Sequence, residues 1–242
     1  MSPIRNAYGD FGKYYDHLGW DRFARNAAVR IRSFIKLQGG KYESALDFAC
    51  GTGELEKQLK DTGIRFTGVD ASPVMLKVAR RKCPGVRFIL SDVAEVRFKR
   101  KFDLVLFMFD SANHMKSLSH LRRVFRNARR HLKKGGYFIF DIITESGLEN
   151  WEHVDIRRGD DYTVITNGYF YPEKLSADIF IEAFVKKGKL YERVYQKVVG
   201  KAFPAAAIFE ALSKSGFKRI LVSSYIPAED IEEASRLWMV CS

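Results

Sequence analysis

The sequence predicts an α/β fold: a doubly wound, mostly parallel seven-stranded sheet that carries an antiparallel β-rich insertion. Short apolar segments alternate with amphipathic ones between residues 45 and 142, as strands and helices do around a parallel sheet. Longer segments rich in β-branched and aromatic residues replace this alternation between 150 and 200. A helical pattern and two apolar strands return after residue 201, which indicates that the chain re-enters the first sheet.

The elements of the alternating part follow from apolar runs and from helix start and stop signals. Ser72 is a suitable N-cap and Pro73 fits the first helical position, so a helix is expected to run to about Lys82. The apolar runs predict strands at 45–49, 66–69, 86–90, 104–108 and 137–142, with another helix at 54–61.

A longer helix is predicted at residues 118–134, because its apolar residues recur at spacings of three and four. This stripe consists of Leu118, Leu121, Phe125, Ala128 and Leu132. The pair Gly135 and Gly136 is expected to end the helix before the next strand begins.

These patterns divide the chain into three segments. Residues 1–149 comprise N-terminal helices and a Rossmann-like core, 150–200 form the insertion, and 201–242 return to the core with one helix and the final two strands. Inside the insertion, YTVITNGYFY, LSADIFIEAFVK and LYERVYQKVVG predict three antiparallel strands. Ligands of open α/β sheets bind beyond the carboxyl ends of the strands, so the insertion is expected to shape a pocket there.

The composition is typical of a soluble globular protein, with 46% hydrophobic and 29% charged residues. No apolar run has the length of a signal peptide or a bilayer span, and the three cysteines lack metal-site spacing. We therefore expect a cytoplasmic protein without a membrane partner or a bound metal. The net charge of +12 suits either a nucleic-acid partner or acidic small molecules, and composition does not separate the two.

A glycine-rich turn in ALDFACGTGE, residues 45–54, follows the first predicted strand and raises the question of which nucleotide it binds. A dinucleotide fingerprint requires Gly or Ala at the position of Glu56, and a carboxylate there would repel a pyrophosphate. The triphosphate loop is excluded, because no Gly-Lys-Ser/Thr follows. A cationic, phosphate-free ligand such as S-adenosylmethionine (SAM) fits better.

Three acidic residues stand where such a ligand needs them. Asp47 precedes the glycine turn, Asp70 ends the second strand, and Asp92 follows the third. A carboxylate at Asp70 is suited to accept hydrogen bonds from both ribose hydroxyls, and one at Asp92 from the adenine amino group. The acids thus favour SAM over NAD or ATP.

Five segments in this order and spacing resemble the class I SAM-dependent methyltransferases: ALDFACGTGE, TGVDASPVML, ILSDV, FDLVLFMF and KKGGYFIFDI. The resemblance covers about residues 10–145 and the closing strands. It implies cofactor contacts from Tyr15, Arg25, Asp47, Ala49, Cys50, Gly51, Gly53, Asp70, Ala71, Met75, Asp92, Val93 and Met108. In these implied roles the glycine turn holds the methionyl part, Met75 and Ala71 line the adenine, and the Met108 carbonyl accepts from the cofactor's ammonium. Cys50 is expected to be a small buried turn residue rather than a nucleophile.

A narrower resemblance links FDLVLFMFDSANHM to the glycine and sarcosine N-methyltransferase group. It implies that an arginine on the helix before the glycine turn binds the cofactor's carboxylate, and counting back without gaps reaches Arg25. The competing residues are Arg22, Arg30 and Arg32. Of Tyr14 and Tyr15, one is expected to close over the cofactor, the alternative being that both anchor the first helix.

The segment DSANH, residues 110–114, stands where the acceptor pocket of this family opens. His114 is the candidate general base, and Asp110 and Asn113 are candidates to hold an ammonium or hydroxyl group. The alternative is that Asp110 and Ser111 cap the turn while His114 contacts the cofactor or braces the loop. Asp110 replaces an asparagine of the glycine-type pattern, so the acceptor's identity does not carry over. The insertion's aromatic residues form a cage for a cationic acceptor or simply hold the small sheet together.

The predicted function is SAM-dependent methylation of a small molecule, at nitrogen rather than oxygen, with S-adenosylhomocysteine as the second product. The first alternative is a tRNA, rRNA or other nucleic-acid methyltransferase, for which Arg122, Arg126, Arg129 and Lys133 would form a phosphate track. Neither Pro-Pro-Tyr/Phe nor a Pro-Cys pair follows the fourth strand, which disfavours methylation of bases. A non-catalytic SAM-binding regulator is the third reading. Exposed edges of the insertion are a candidate homodimer contact.

Overall fold

A computed structural model describes residues 8–226 and 229–242 of the chain as two β-sheets with flanking helices. The strands are β1 (Ser44–Phe48), β2 (Arg65–Asp70), β3 (Arg87–Leu90), β4 (Phe102–Phe107), β5 (Leu132–Ile143), β6 (Val154–Arg158), β7 (Tyr162–Tyr171), β8 (Ser176–Lys187), β9 (Leu190–Lys201), β10 (Ile220–Ser224) and β11 (Arg236–Cys241). The helices are α1 (Arg22–Gln38), α2 (Glu54–Gln58), α3 (Pro73–Lys82), α4 (Leu118–His131), α5 (Glu145–Glu149) and α6 (Ala205–Lys214). Residues 1–7 of the predicted first segment and 227–228 of the third lie outside the described residues.

The larger sheet has seven strands in the order β10-β11-β5-β4-β1-β2-β3. The pairs β1–β2, β1–β4, β2–β3 and β4–β5 are parallel, whereas β11 runs antiparallel to both of its neighbours. This confirms the predicted fold class. The chain leaves β1 toward β2 on one side while β4 pairs on the other, so the carboxyl end of β1 is the topological switch point where ligands bind.

The core of this sheet is apolar on both faces, as a parallel sheet covered by helices requires. All five residues of β1 are buried, and α4 places its apolar stripe against the sheet through Leu121 and Phe125, both fully buried. Phe125 packs on Phe138 and Phe140 of β5. The buried aromatic residues fix the helix over the middle of the sheet.

The predicted helix at 118–134 is too long by three residues. The helix ends at His131, and β5 begins at once with Leu132, which pairs with Phe102 of β4. Gly135 has a φ of 77°, which only glycine adopts without strain, and the register between β4 and β5 shifts nearby. Strand pairing therefore overrides the helical periodicity at this end.

The smaller sheet contains four antiparallel strands in the order β6-β7-β8-β9. Three of them were predicted from the sequence, whereas β6 was missed. Its sequence VDIRR is short, charged and lacks aromatic residues, so it does not resemble a strand in isolation. It is an edge strand that pairs with β7 alone, and charged residues are common at such edges.

The smaller sheet packs on the core through the N-terminal segment. One buried cluster joins Phe11, Tyr15 and Leu18 of that segment to Met75 of α3 and to a set of sheet residues. That set is Val164, Ile181, Ala183, Val185 and Val194. The segment is thus enclosed between the two sheets. The division of the chain at residues 149 and 200 stays a prediction. Among the described residues, no helix combines the length and apolar character that a bilayer span needs.

Candidate active site

The glycine turn after β1 has a left-handed backbone at three positions. The φ angles of Ala49, Gly51 and Gly53 are 55°, 54° and 74°, a conformation that L side chains adopt with strain. A Cβ on Gly53 would lie 3.1 Å from the Ala79 side chain of α3, whereas one on Gly51 would meet no atom of the described residues within 4 Å. Gly53 therefore allows close helix packing, and Gly51 faces open space.

Asp70, at the end of β2, braces this turn. Its Oδ2 accepts from the Gly51 N–H at 2.9 Å, and its Oδ1 accepts from the Ser72 N–H at 2.7 Å. Burial raises the pKa of the Asp70 carboxyl, while these N–H donors oppose the rise. The carboxylate that was predicted to bind ribose is thus also the group that positions the turn.

A cavity of about 510 Å³ lies beyond the carboxyl ends of β1, β2 and β4. The predicted cofactor residues that line it are Tyr15, Asp47, Ala49, Cys50, Gly51, Asp70, Ala71, Met75, Asp92, Val93 and Met108. His114 also lines it. Most of the site residues predicted from the sequence therefore line one cavity.

Four predicted site residues lie outside the lining of this cavity: Arg25, Gly53, Asp110 and Asn113. The Arg25 guanidinium donates to Asp21 on its own helix turn. The Asn113 amide is fully buried, donates to the carbonyls of Ile143 and Lys201 at 2.8 Å each, and accepts from the Ile143 N–H. Its polar groups are engaged within the protein, which favours a bracing role between β5 and β9 over a contact with the acceptor.

At one end of the cavity, Asp92 and Val93 lie where the adenine was expected. The Asp92 Oδ1 accepts from the Ala94 N–H at 2.8 Å, and its Oδ2 lies 3.6 Å from the Nε2 of His120. His120 was missed from the sequence, because it sits within the apolar pattern of α4. Its Nε2 is buried and has no hydrogen-bond partner among the described residues, although the side chain lines the cavity. This end of the cavity can therefore bind a polar ring.

Two buried carboxyl groups, Asp47 and Glu56, lie beneath the glycine turn. Burial raises the pKa of Glu56 to about 8, and burial together with Glu56 and Asp70 raises the pKa of Asp47 well above its usual value. Glu56 is 1% exposed and does not line the cavity. The expectation that its charge would repel a pyrophosphate is therefore wrong in its mechanism, because Glu56 faces Gly68 under the turn.

The opposite side of the cavity is bounded by the turn after β4, which has an unusual backbone. Phe109 and Asp110 have φ angles of 57° and 45°, and neither is glycine. Asp141 of β5 holds both: its Oδ1 accepts from the Phe109 N–H at 2.6 Å, and its Oδ2 accepts from the Asp110 N–H at 2.9 Å. The strained turn aims the Asp110 carboxylate toward His114.

His114 is held between two acceptors. Its Nδ1 lies 2.9 Å from the Val199 carbonyl and its Nε2 lies 3.4 Å from the Asp110 Oδ2. Since the carbonyl accepts only, Nδ1 carries a proton, and Nε2 is the nitrogen that gains or loses one. Burial would lower the pKa of His114, but the contact with Asp110 outweighs this and raises it. The hydroxyl of Tyr8 lies 3.5 Å from the same Nε2.

Arg236, the first residue of β11, completes the charged group. Its guanidinium pairs with Asp141 and with the Asp110 Oδ1, the latter at 3.2 Å. Burial would raise the pKa of Asp110, but the charge of Arg236 and the contact with His114 lower it. Burial raises the pKa of Asp141, and Arg236 opposes the rise. With both carboxyl groups ionised, Asp110, Asp141 and Arg236 carry one net negative charge, which the His114 imidazolium can neutralise. No sequence signal pointed to Arg236, which lies 126 residues from Asp110 along the chain.

A second cavity, of about 380 Å³, lies between the strained turn and the smaller sheet. Asp110 and Arg236 line it, and it shares Tyr8, Tyr15, Trp20, Phe109 and Val198 with the first cavity. Of the insertion's aromatic residues, Trp151 lines it. The two cavities thus meet at the residues around His114, so one ligand can be brought against another there.

The fold and these cavities define a doubly wound α/β protein with a ligand cavity at the switch point of its sheet. Residues 45–136 match the family model described as a methyltransferase domain. Over 160 residues the chain is 30% identical to the dTDP-3-amino-3,4,6-trideoxy-alpha-D-glucopyranose N,N-dimethyltransferase of Streptomyces venezuelae, covering 64% of this chain and 67% of that protein. The chain belongs to the class I SAM-dependent methyltransferases.

Two further comparisons agree with this family. The demethylmenaquinone methyltransferase of Chlorobaculum tepidum is 32% identical over 157 residues, which cover 61% of this chain and 63% of that protein. The structure of a SAM-dependent methyltransferase from Clostridium acetobutylicum matches the fold with a TM-score of 0.83 at 24% identity, covering 97% of this chain and 98% of that one. The cofactor is therefore SAM.

The residues present fit this cofactor. Within the described part of the chain, the space in front of Gly51 is open to a ligand, and the His120 Nε2 at the opposite end has no partner and offers a hydrogen bond. When bound, SAM supplies a methyl group on a sulfonium, activated toward a nucleophile. The part of this chain is to position the acceptor, exclude water and remove the acceptor's proton.

Proposed function

We propose that this protein transfers the methyl group of SAM to an amine nitrogen of a small molecule that occupies the second cavity. The observation that carries the proposal is the net negative charge of Asp110, Asp141 and Arg236 beside an ionisable His114, at the junction of the two cavities. Amines are mostly protonated to ammonium ions at neutral pH, so a negatively charged site attracts them. It also provides a base beside them.

The proposed mechanism assigns one task to each group. The Asp110 carboxylate binds the acceptor's ammonium, and the neutral Nε2 of His114 accepts a proton from it. This would leave the nitrogen with a free lone pair for the methyl group that bound SAM would supply, with S-adenosylhomocysteine as the leaving group, and the proton on His114 would pass to solvent. Val199 fixes the tautomer by accepting from Nδ1, and Arg236 holds Asp110 in the ionised form.

The relatives support nitrogen as the target without fixing the acceptor. The Streptomyces venezuelae protein is by name a dimethyltransferase of an amino sugar, whereas the Chlorobaculum tepidum protein is by name a methyltransferase of demethylmenaquinone. The names of these relatives give different acceptors, so they do not decide between acceptors for this protein. The choice of an amine rests on the negative charge around Asp110. The narrower resemblance to the glycine and sarcosine N-methyltransferase group stays a prediction.

A matched panel of acceptors tests the proposal. Methyl transfer from radiolabelled SAM would be measured for small amines, including amino sugars, for the alcohols that replace each amine by a hydroxyl, and for tRNA. We expect amines to be labelled and their alcohols not. In Asp110→Asn, labelling of the same amines should fall at least about tenfold, as expected for loss of a charge-assisted contact. Labelling of the alcohols, or of tRNA alone, contradicts the proposal.

The nucleic-acid alternative is less favoured, because the predicted basic stripe is not a free surface. Lys133 lies in β5 rather than on α4, and its Nζ pairs with Asp103 at 3.0 Å. Arg122 lies 3.5 Å from Glu210, and Arg129 donates to the Gly216 carbonyl. Three of the four predicted phosphate contacts thus have partners within the protein.

Other parts of the prediction remain proposals. The regulator hypothesis is opposed by the base and carboxylate at the junction of the cavities, and turnover with any acceptor would exclude it. A homodimer through the smaller sheet is suggested by apolar residues exposed on its edge strands, such as Val154 and Tyr195. A cytoplasmic location is likewise proposed from the composition.

A further inference from the structure

Asp21, the residue before α1, is a buried carboxylate with one unused oxygen. It is 4% exposed and lines the larger cavity beside Trp20 and Ala24. Its Oδ2 accepts from the Arg25 guanidinium. Its Oδ1 is buried and has no hydrogen-bond partner in the part of the chain that the structure describes. A buried unpaired carboxylate oxygen is costly, so it indicates a site for a donor.

Asp21 lies among other acidic residues, most of whose carboxylate oxygens have hydrogen-bond partners. Carboxylate oxygens of Asp16, Asp21 and Glu54 all lie within 4.8 Å of one another. The Nζ of Lys82 bridges Asp16 at 2.6 Å and Glu54 at 2.8 Å, and Thr52 donates to the other oxygen of Asp16. Among these acids, the unused hydrogen-bonding capacity lies on Asp21.

The buried carboxylates of this cluster outnumber its buried cations, since only Lys82 is largely buried. Three carboxylates face two cations, Lys82 and Arg25. Lys57 approaches Glu54 at 3.8 Å, and both Lys57 and Arg25 are half exposed, so solvent weakens the contacts of both. Burial would raise the pKa of Glu54, but Lys82 and Gln58 lower it, which keeps this acid ionised. The cluster therefore suits one monovalent cation that donates hydrogen bonds.

A divalent metal ion fits this cluster poorly. Mg²⁺ and Ca²⁺ take six or more oxygen ligands, whereas Lys82 already occupies oxygens of two of the three carboxylates. An ammonium group needs only a few acceptors and carries a single charge. Asp21, Thr52 and Glu54 line the same cavity as the glycine turn, so a ligand of that cavity can supply the ammonium.

We propose that the Asp21 Oδ1 binds the α-ammonium group of SAM. This inference rests on the cofactor and not on the identity of the acceptor. It is an alternative to the implied contact from the Met108 carbonyl, which also accepts from the Ser111 hydroxyl at 2.7 Å. It also gives Arg25 a different task from the predicted carboxylate clamp: Arg25 is a positioning residue that orients Asp21 toward the cavity.

Calorimetry with the product and two analogues tests the contact without turnover. The ligands are S-adenosylhomocysteine, its deaminated analogue, which keeps the carboxylate, and its decarboxylated analogue, which keeps the ammonium. In Asp21→Asn we expect the affinities for the product and for the decarboxylated analogue to fall about tenfold to a hundredfold. The affinity for the deaminated analogue should not change. Equal losses for all three ligands, or no loss, would overturn the proposal.

Arg25→Gln separates the two tasks of the arginine and, because Arg25 is half exposed, is a variant that should fold. If Arg25 positions Asp21, the variant binds the decarboxylated analogue more weakly and the deaminated analogue with unchanged affinity. The reverse pattern would show that Arg25 binds the carboxylate, and would overturn its positioning role. Asp61→Asn, at an exposed carboxylate paired with Arg32, is the matched control and should bind all three ligands normally.

Titration of the wild-type protein with Mg²⁺, Ca²⁺ and Mn²⁺ in the absence of cofactor completes the test. We expect no saturable binding at micromolar concentrations. Tight binding of one of these ions that Asp21→Asn abolishes would overturn the proposal in favour of a metal site. Product binding by the wild-type protein and amine methylation would both persist in that case, so this failure is distinct from a failure of the proposed function.

Discussion

At the scale of single residues, the protonation state of His114 governs the proposed chemistry. The imidazole must be neutral to accept a proton, and the contact with Asp110 raises its pKa above the usual 6.5 despite burial. We expect kcat/KM to rise with pH through a midpoint above 6.5 and to be lost below it. The pH profile of the purified enzyme with one fixed amine checks this.

Two variants assign that midpoint to His114. His114→Gln should abolish the rise of kcat/KM with pH. It should also lower turnover by about a hundredfold or more, the usual contribution of a general base. Asp110→Asn removes the group that raises the pKa, so the midpoint should move to lower pH with the same acceptor. An unchanged midpoint in both variants would assign it to the acceptor's own ionisation.

Glu56 provides a second residue-scale prediction, on stability. Its pKa rises from 4.5 in the unfolded chain to about 8 in the folded one. Between these values the folded state keeps a proton that the unfolded state has lost, so this group's contribution to stability falls as pH rises. Glu56→Gln should flatten the decline of the free energy of unfolding over this range. Urea unfolding at several pH values measures it.

The control for this experiment is Glu233→Gln, at an exposed glutamate. Its pH dependence should match that of the wild-type protein. If Glu56→Gln also follows the wild-type curve, the buried carboxyl is not protonated in the folded state.

At the scale of elements, the sequence determined most of the fold through local signals. The helix α3 begins at Pro73, after the N-cap Ser72, and ends at Lys82, both as predicted. The boundary between α4 and β5 was misplaced, because the pairing of Leu132 with Phe102 is a long-range interaction that a helical period does not encode. The edge strand β6 was missed for the same reason, since only its pairing with β7 makes it a strand.

The attachment of the smaller sheet depends on a close approach at Gly168 of β7. A Cβ at this position would lie 1.7 Å from the Trp151 carbonyl oxygen, a backbone atom that cannot move alone. Gly168→Ala should therefore destabilise the protein by about 1–3 kcal/mol, as overpacking commonly does. Because both residues line the second cavity, KM for the acceptor should rise as well.

Gly85→Ala is the matched control, because a Cβ there would meet nothing within 4 Å. Its thermal midpoint and KM should stay close to those of the wild-type protein. A Gly168→Ala variant that behaves like this control would show that Trp151 does not hold the sheet.

At the scale of the whole molecule, the site is assembled from distant parts of the chain. Asp70 and Asp92 were predictable, because each follows a recognisable strand of the parallel sheet. Arg236 and Asp21 were not, since they reach the cavities from the final strand and from the segment before α1. Their roles come from burial and charge balance, which appear only when the chain is folded.

The net charge of +12 is also unevenly distributed over the folded molecule. Basic residues suggested a nucleic-acid surface, yet Arg122, Arg129 and Lys133 each have a partner within the protein. Meanwhile the two cavities are lined by several acids, among them Asp21 and Asp70 in the first and Asp110 in the second. The surface is basic while the site is acidic, which suits a cationic cofactor and an amine acceptor.

The position of the transferred methyl group tests the central claim most directly. The enzyme would be supplied with SAM carrying a ¹³C methyl group and with amino alcohols that offer both nucleophiles in one molecule. Carbon NMR distinguishes a methyl on nitrogen from one on oxygen. The account predicts N-methyl signals alone, lost in His114→Gln. O-methyl products, or N-methylation that His114→Gln leaves at the wild-type rate, would contradict it.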